Sequence, residues 1–200
     1  RLPPLRGRAS LDLDLSDPRQ RERVPPEWRP SLPPRGFINP MEAESIIRLL
    51  ESLIDDLPAD RPDAIAVLAT YEAQAALIRY FIGRSPLLTA SPVRILVTTA
   101  AQASHLEADW VVLGLTRSHG HRAVSYGDGA GDIGRALTRA RRRLILVGDP
   151  GSLARRVHWD GPLDHLDADS ARRERDWVVA LVDLLQGRGT PLILLHEGPP

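Results

Sequence analysis

Three short runs of apolar residues carry no charged interruption: Ala64-Ile65-Ala66-Val67-Leu68-Ala69, Trp110-Val111-Val112-Leu113-Gly114-Leu115 and Leu144-Ile145-Leu146-Val147. A strand with one wet face alternates apolar and polar residues, so unbroken runs demand cover on both sides, as in a parallel sheet between two helical layers. Val93 to Val97 reads as another strand, and Leu192-Ile193-Leu194-Leu195 as a last one. Helical spacing fills the intervals: Ile46, Ile47, Leu49, Leu50, Leu53, Ile54 and Leu57 recur on one stripe up to Pro58, and further helices are expected at about 71–82, 132–142 and 171–186. Strands alternating with helices predict an α/β fold, a mainly parallel, doubly wound sheet with helices on both faces and strands near 65–69, 93–98, 110–115 and 144–148.

Upstream of the first helix, residues 1–10 and 16–36 are rich in proline and arginine, and Leu11-Asp12-Leu13-Asp14-Leu15 alternates between them. This reads as an entry strand and a long surface loop. Asn39-Pro40-Met41-Glu42 is a helix start: Asn39 caps, Pro40 takes the first turn, and Glu42 is expected to reach back to the free amide as in a capping box. The expected organisation is 1–36 as entry strand and loop, 37–157 as the core, and 158–200 as a helix and strand completing or flanking it.

The 200 residues suit one domain, and 26 basic against 26 acidic residues leave no net charge, which excludes a chain-wide basic glove for nucleic acid. Every basic residue is arginine. The absence of cysteine excludes disulfides and thiolate chemistry, and a cytoplasmic location is expected. The longest apolar runs are too short to span a bilayer, and no apolar stretch of signal length follows Arg1 to Arg8, so no membrane partner is expected. His119 and His121 flank Gly120 without a third ligand nearby, too few to hold a metal.

In doubly wound sheets, ligands gather outside the carboxyl ends of the strands, which directs attention to the loops after Ala69, Val97, Leu115 and Val147. No Gly-x-x-x-x-Gly-Lys-Ser/Thr loop occurs, so this chain lacks the usual phosphate cradle. Any handling of ATP therefore needs a partner domain.

Ala136-Leu137-Thr138-Arg139-Ala140-Arg141, followed by Leu144-Ile145-Leu146-Val147-Gly148-Asp149, resembles motif VI of superfamily 1 helicases, nearest to the Upf/Dna-type (superfamily 1B) branch. Thr99-Ala100-Ala101-Gln102-Ala103-Ser104-His105-Leu106-Glu107-Ala108-Asp109, running into an apolar strand and Thr116-Arg117-Ser118, is similar to motif V without a gap. Leu68-Ala69-Thr70-Tyr71-Glu72-Ala73-Gln74 resembles the family's Ile-Thr-Pro-Tyr-x-x-Gln, and Asn39-Pro40-Met41-Glu42-Ala43 its Asn-x-x-Glu-Ala. The resemblance covers about residues 37–155 and implies the C-terminal RecA-like domain (2A), a P-loop NTPase fold lacking the P-loop.

It further implies the second motor lobe of an ATP-dependent helicase or translocase. ATP and Mg2+ would be bound jointly with an N-terminal RecA-like lobe of the same protein, and the substrate would be single-stranded DNA or RNA. Arg139 takes the place of the arginine finger, with Glu107 and Gln74 beside it as ATP-binding positions. Thr70, Thr98, Thr99, Ser104 and Arg117 take the nucleic-acid positions. Local chemistry offers plainer roles: a solvated helix arginine for Arg139, a surface carboxylate for Glu107, capping or packing for Gln74, and strand-ending β-formers for the threonines. Arg117, at a strand end, suits either a phosphate or an acidic partner. The chain departs from the family at His105, where motif V has glycine, and also at Ser104, Ala101, Gly131, Asp132 and Gly134. Those departures support the alternative of a degenerate helicase-derived lobe kept as an inactive binding or regulatory module.

Overall fold

The structure, a computed structural model, describes residues 12–57, 61–118 and 130–149. Its centre is a four-stranded parallel sheet in the order β4-β3-β5-β6, made of β3 (Ala64–Ala69), β4 (Arg94–Thr99), β5 (Ala108–Gly114) and β6 (Ala140–Val147). The apolar runs sit where two-sided cover demands, and every residue of β3 is buried. Alternation divides them between faces. Ile65, Val67, Ala69, Trp110, Val112, Ile145 and Val147 pack with α2 (Pro40–Asp55) and α3 (Glu72–Ile82) on one face. Ala66, Leu68, Val111, Leu113 and Leu146 meet Ala103 and the α5 (Ala130–Leu137) residues Ile133 and Ala136 on the other. Ala108, at the start of β5, joins this second cluster, and the ladder with β6 shifts register between the pairs Ala108–Ala140 and Trp110–Arg143.

Asn39 caps α2, its Oδ1 accepting from the Glu42 amide at 3.1 Å. The helix then buries Ala43, Ile46, Leu49, Leu50 and Ile54 as one stripe. Glu42 does not return to the cap: the Asn39 amide donates instead to Gln74 Oε1 at 2.8 Å, and the Glu42 carboxyl turns inward to the sheet. The reciprocal capping box is therefore half formed. A short α4 (Pro86–Thr89) leads into β4.

Three sequence expectations need correction. The entry strand is only β1 (Leu13–Asp14), paired antiparallel with β2 (Phe37–Ile38) in a small sheet of its own. The loop between them is built rather than loose: a turn of α1 (Pro18–Arg21) and a 3-10 turn at Arg29–Ser31 bring Val24 and Leu32 into the core and set Trp28 edge-on to Phe81, 5.1 Å between ring centres. The helix expected at 132–142 stops at Leu137, and Ala140 already belongs to β6. Pairing of Ala108 with Ala140, and the Ala108 amide bonded to the Arg139 carbonyl at 3.2 Å, draws these residues into the ladder against their helical preference. Arg139 thus occupies the joint between helix and strand. The strand at 192–195, the helix at 171–186, the segment 158–200, and His119 and His121 lie outside the described residues.

Candidate nucleotide and nucleic-acid interfaces

The connection after β3 runs through α3 on one face, and β5 is followed by α5 on the other, so adjacent strands β3 and β5 form a topological switch point. A ligand crevice is expected at their carboxyl ends. Here it is filled by the protein's own polar side chains. Gln74, with no exposed surface, receives the Asn39 amide on Oε1 and donates from Nε2 to Asn39 O at 3.1 Å and Glu42 Oε1 at 3.0 Å. Glu42 Oε2 accepts from the Thr116 amide at 2.7 Å, Asn39 Nδ2 donates to Thr116 O at 2.9 Å, and Thr70 Oγ1 lies 3.0 Å from Thr116 Oγ1. Glu42 is buried with no arginine among the described residues bonded to it, and loss of hydration raises its carboxyl from 4.5 to about 8. The bonds from Thr116, Gln74 and Leu115 oppose that rise, and the negative charge of Asp12 adds to it.

Thr116 itself stands at φ +63°, where a β-branched residue is a true outlier, and the Arg117 amide bonds back to Leu115 O at 2.6 Å to close a tight turn. Such a conformation costs on the order of 1–3 kcal/mol and persists where surrounding bonds over-determine it. Beyond the turn, Arg117 is buried: it pairs through Nε with Asp12 and lies over the Phe37 ring, 3.7 Å from its centre. Of the two roles open to Arg117, the structure takes the acidic partner. Ser118 Oγ donates to Asp149 Oδ2 at 3.0 Å.

The amino ends of the strands carry a different set. Each nitrogen of the Arg139 guanidinium makes one bond: Nε to Arg135 O at 3.1 Å, one Nη to Ser104 O at 2.9 Å, the other to Thr138 Oγ1 at 2.9 Å. All of these acceptors are neutral, so among the described residues the charge is held in place without being cancelled, and two of its five N–H groups remain beyond these bonds. Glu107 lies nearby on the exposed surface, taken by Arg141 at 3.1 Å. Ser104 and His105 are exposed in the 3-10 segment Ala101–His105, which carries the chain from β4 toward β5.

The two sets inferred from the sequence are thus redistributed. Arg139, Glu107 and Ser104 come together at the amino ends, whereas Gln74, Thr70 and Arg117 join the buried cluster at the carboxyl ends. Thr98 and Thr99 finish β4, Thr98 bonded to Gln102 Oε1 at 2.9 Å and Thr99 Oγ1 accepting the Gln102 amide at 3.3 Å. Sequence reasoning missed the reach of Glu42, the strained Thr116 and the role of Asp12. Only the glycines left a trace: a Cβ on Gly114 would lie 2.7 Å from Glu42 Oε1, and one on Gly148 3.1 Å from Oε2.

A family model described as an AAA domain matches residues 12–151, which takes in every described residue, from Asp12 to Asp149. The chain belongs to the AAA domain family. Over 131 residues this AAA domain is 27% identical to the "regulator of nonsense transcripts 1 homolog" of Arabidopsis thaliana and 28% to the "ATP-dependent helicase NAM7" of Saccharomyces cerevisiae, in each case 65% of this chain. It is 30% identical over 120 residues, 58% of the chain, to the "DNA replication ATP-dependent helicase/nuclease JHS1" of Arabidopsis thaliana. These spans are 10%, 13% and 8% of the relatives' own lengths. Together they make it a superfamily 1 helicase-like domain. Among the described residues no helix is long and apolar enough to cross a membrane.

Proposed function

We propose that this AAA domain is the second motor lobe of an ATP-dependent nucleic-acid helicase or translocase, the 2A position of the superfamily 1B arrangement. Its work would be to bring Arg139 to the γ-phosphate of ATP held by an N-terminal RecA-like lobe of the same protein. One observation carries the reading: among the described residues, the Arg139 guanidinium is fixed by neutral oxygens at the amino ends of β5 and β6, with N–H groups to spare and no bonded carboxylate to cancel its charge. Fixed positive charge of this kind stabilises the charge that develops as a phosphoryl group transfers. The crevice at the carboxyl ends favours the same assignment, since the buried Gln74 spends its amide on Asn39 and Glu42. No metal-binding group of three or more histidine, cysteine or acidic side chains occurs among the described residues, so Mg2+ would be held through ATP and the partner lobe. A single strand of DNA or RNA would run across the carboxyl-end edge, contacted by the half-buried Thr98 and the backbone after the strands.

The test is strand-stimulated ATP hydrolysis by the full-length protein. Arg139→Ala should reduce turnover about a thousandfold while ATP binding changes little, and Arg139→Lys should rescue poorly because it lacks the planar fork. The altered positions His105 and Ser104 flank this site, and they favour a second reading, an inactive helicase-derived binding module. Wild-type protein without strand-stimulated hydrolysis, or an alanine variant that turns over like wild type, would establish that reading instead.

A further inference from the structure

We propose that Glu42 is a positioning residue for the strand-binding end of this lobe: its carboxyl, reaching across the carboxyl ends of β5 and β6, holds Thr116 in its left-handed turn and so fixes where Arg117 and Ser118 stand. The inference rests on the single-strand reading above. Capping does not explain a carboxyl at this position, because the Asn39 cap takes only the backbone amide of residue 42. Nor does burial, which disfavours a carboxyl that no arginine among the described residues meets. What the carboxyl does is grip the Thr116 amide at 2.7 Å, while Asn39 Nδ2 holds the Thr116 carbonyl at 2.9 Å and Thr70 meets its hydroxyl at 3.0 Å. The fold makes way for this reach at Gly114 and Gly148, where a side chain would collide with the carboxyl oxygens. With every polar group of Thr116 held, the chain leaves β5 in one direction only. Arg117 is thereby held over Phe37 and against Asp12, and Ser118 against Asp149.

The full chain carrying Glu42→Leu tests this, since leucine keeps the buried volume and removes the acceptor. Two measurements are made: the Kd for fluorescein-labelled oligothymidylate and oligouridylate by anisotropy, and hydrogen exchange of the Thr116 and Arg117 amides. Glu42→Leu should raise Kd about tenfold, a loss of about 1.4 kcal/mol, and speed exchange at both amides. Glu42→Gln, whose carbonyl still accepts from Thr116, should stay close to wild type. Thr116→Gly added to Glu42→Leu should restore binding, because glycine takes the left-handed conformation without a Cβ penalty. A role in packing alone would show no such rescue, so a double variant as weak as Glu42→Leu overturns the proposal. If wild type binds neither oligonucleotide, the strand reading falls on its own, and the exchange arm still decides: unchanged protection of Thr116 and Arg117 in Glu42→Leu overturns the positioning role.

Discussion

Raising the pH should destabilise this protein through one buried group, Glu42. Its carboxyl is shifted from 4.5 to about 8, because burial removes its hydration and the bonds from Thr116, Gln74 and Leu115 restore only part of it. The folded protein therefore holds a proton that the unfolded chain has released between those two values. By linkage, stability from this group is fully present below about pH 4.5 and falls as the pH rises through 8. At about 1.4 kcal/mol for each tenfold in proton affinity, the loss is on the order of 4–5 kcal/mol, a large share of the 5–15 kcal/mol typical of a domain. Urea unfolding at pH 5, 7 and 9, with the slope against denaturant checked for constancy, measures it. Wild type should weaken steadily across this series, and Glu42→Gln should not. At pH 5 the glutamine variant should lie within about 1 kcal/mol of wild type, since one of its two contacts meets a donor in place of an acceptor. Parallel profiles for the two proteins would refute the assignment of this proton to Glu42.

Asp12→Ala should cost about 3–5 kcal/mol by leaving the buried Arg117 unpaired, and Arg117→Met in the same chain should recover part of that loss in thermal unfolding. Gly148→Ala should destabilise by about 1–3 kcal/mol or more, because φ is +147° there and the new Cβ would stand 2.7 Å from that of Leu115; calorimetry reads this directly. Glu107→Gln should change stability by less than about 1 kcal/mol, since its pair with Arg141 is exposed on both sides, and denaturant unfolding of the variant checks it.

Much of the core was legible because it is local chemistry. Runs such as Ala64–Ala69 and Val111–Leu113 need no knowledge of their neighbours to be read as strands covered on both faces, and the Asn39 cap with Pro40 marks its helix within four residues. The candidate site was legible only in part. Arg139 was found through its flanking pattern, but its surroundings were not, because Ser104 lies 35 residues away. The boundary at Leu137 was misread because the residues after it favour helix in isolation, and only the ladder with β5 makes them strand.

The amino-acid sequence by itself pointed to a parallel, doubly wound sheet, since its unbroken apolar runs call for cover on both faces and alternate with stretches of helical spacing. The tertiary structure alone decided what happens at the two ends of that sheet. Glu42 meets Thr116 across 74 residues and Arg117 meets Asp12 across 105. Whether a polar side chain serves a ligand or its own fold depends on which distant group arrives first to satisfy it, and desolvation then makes that choice costly to reverse.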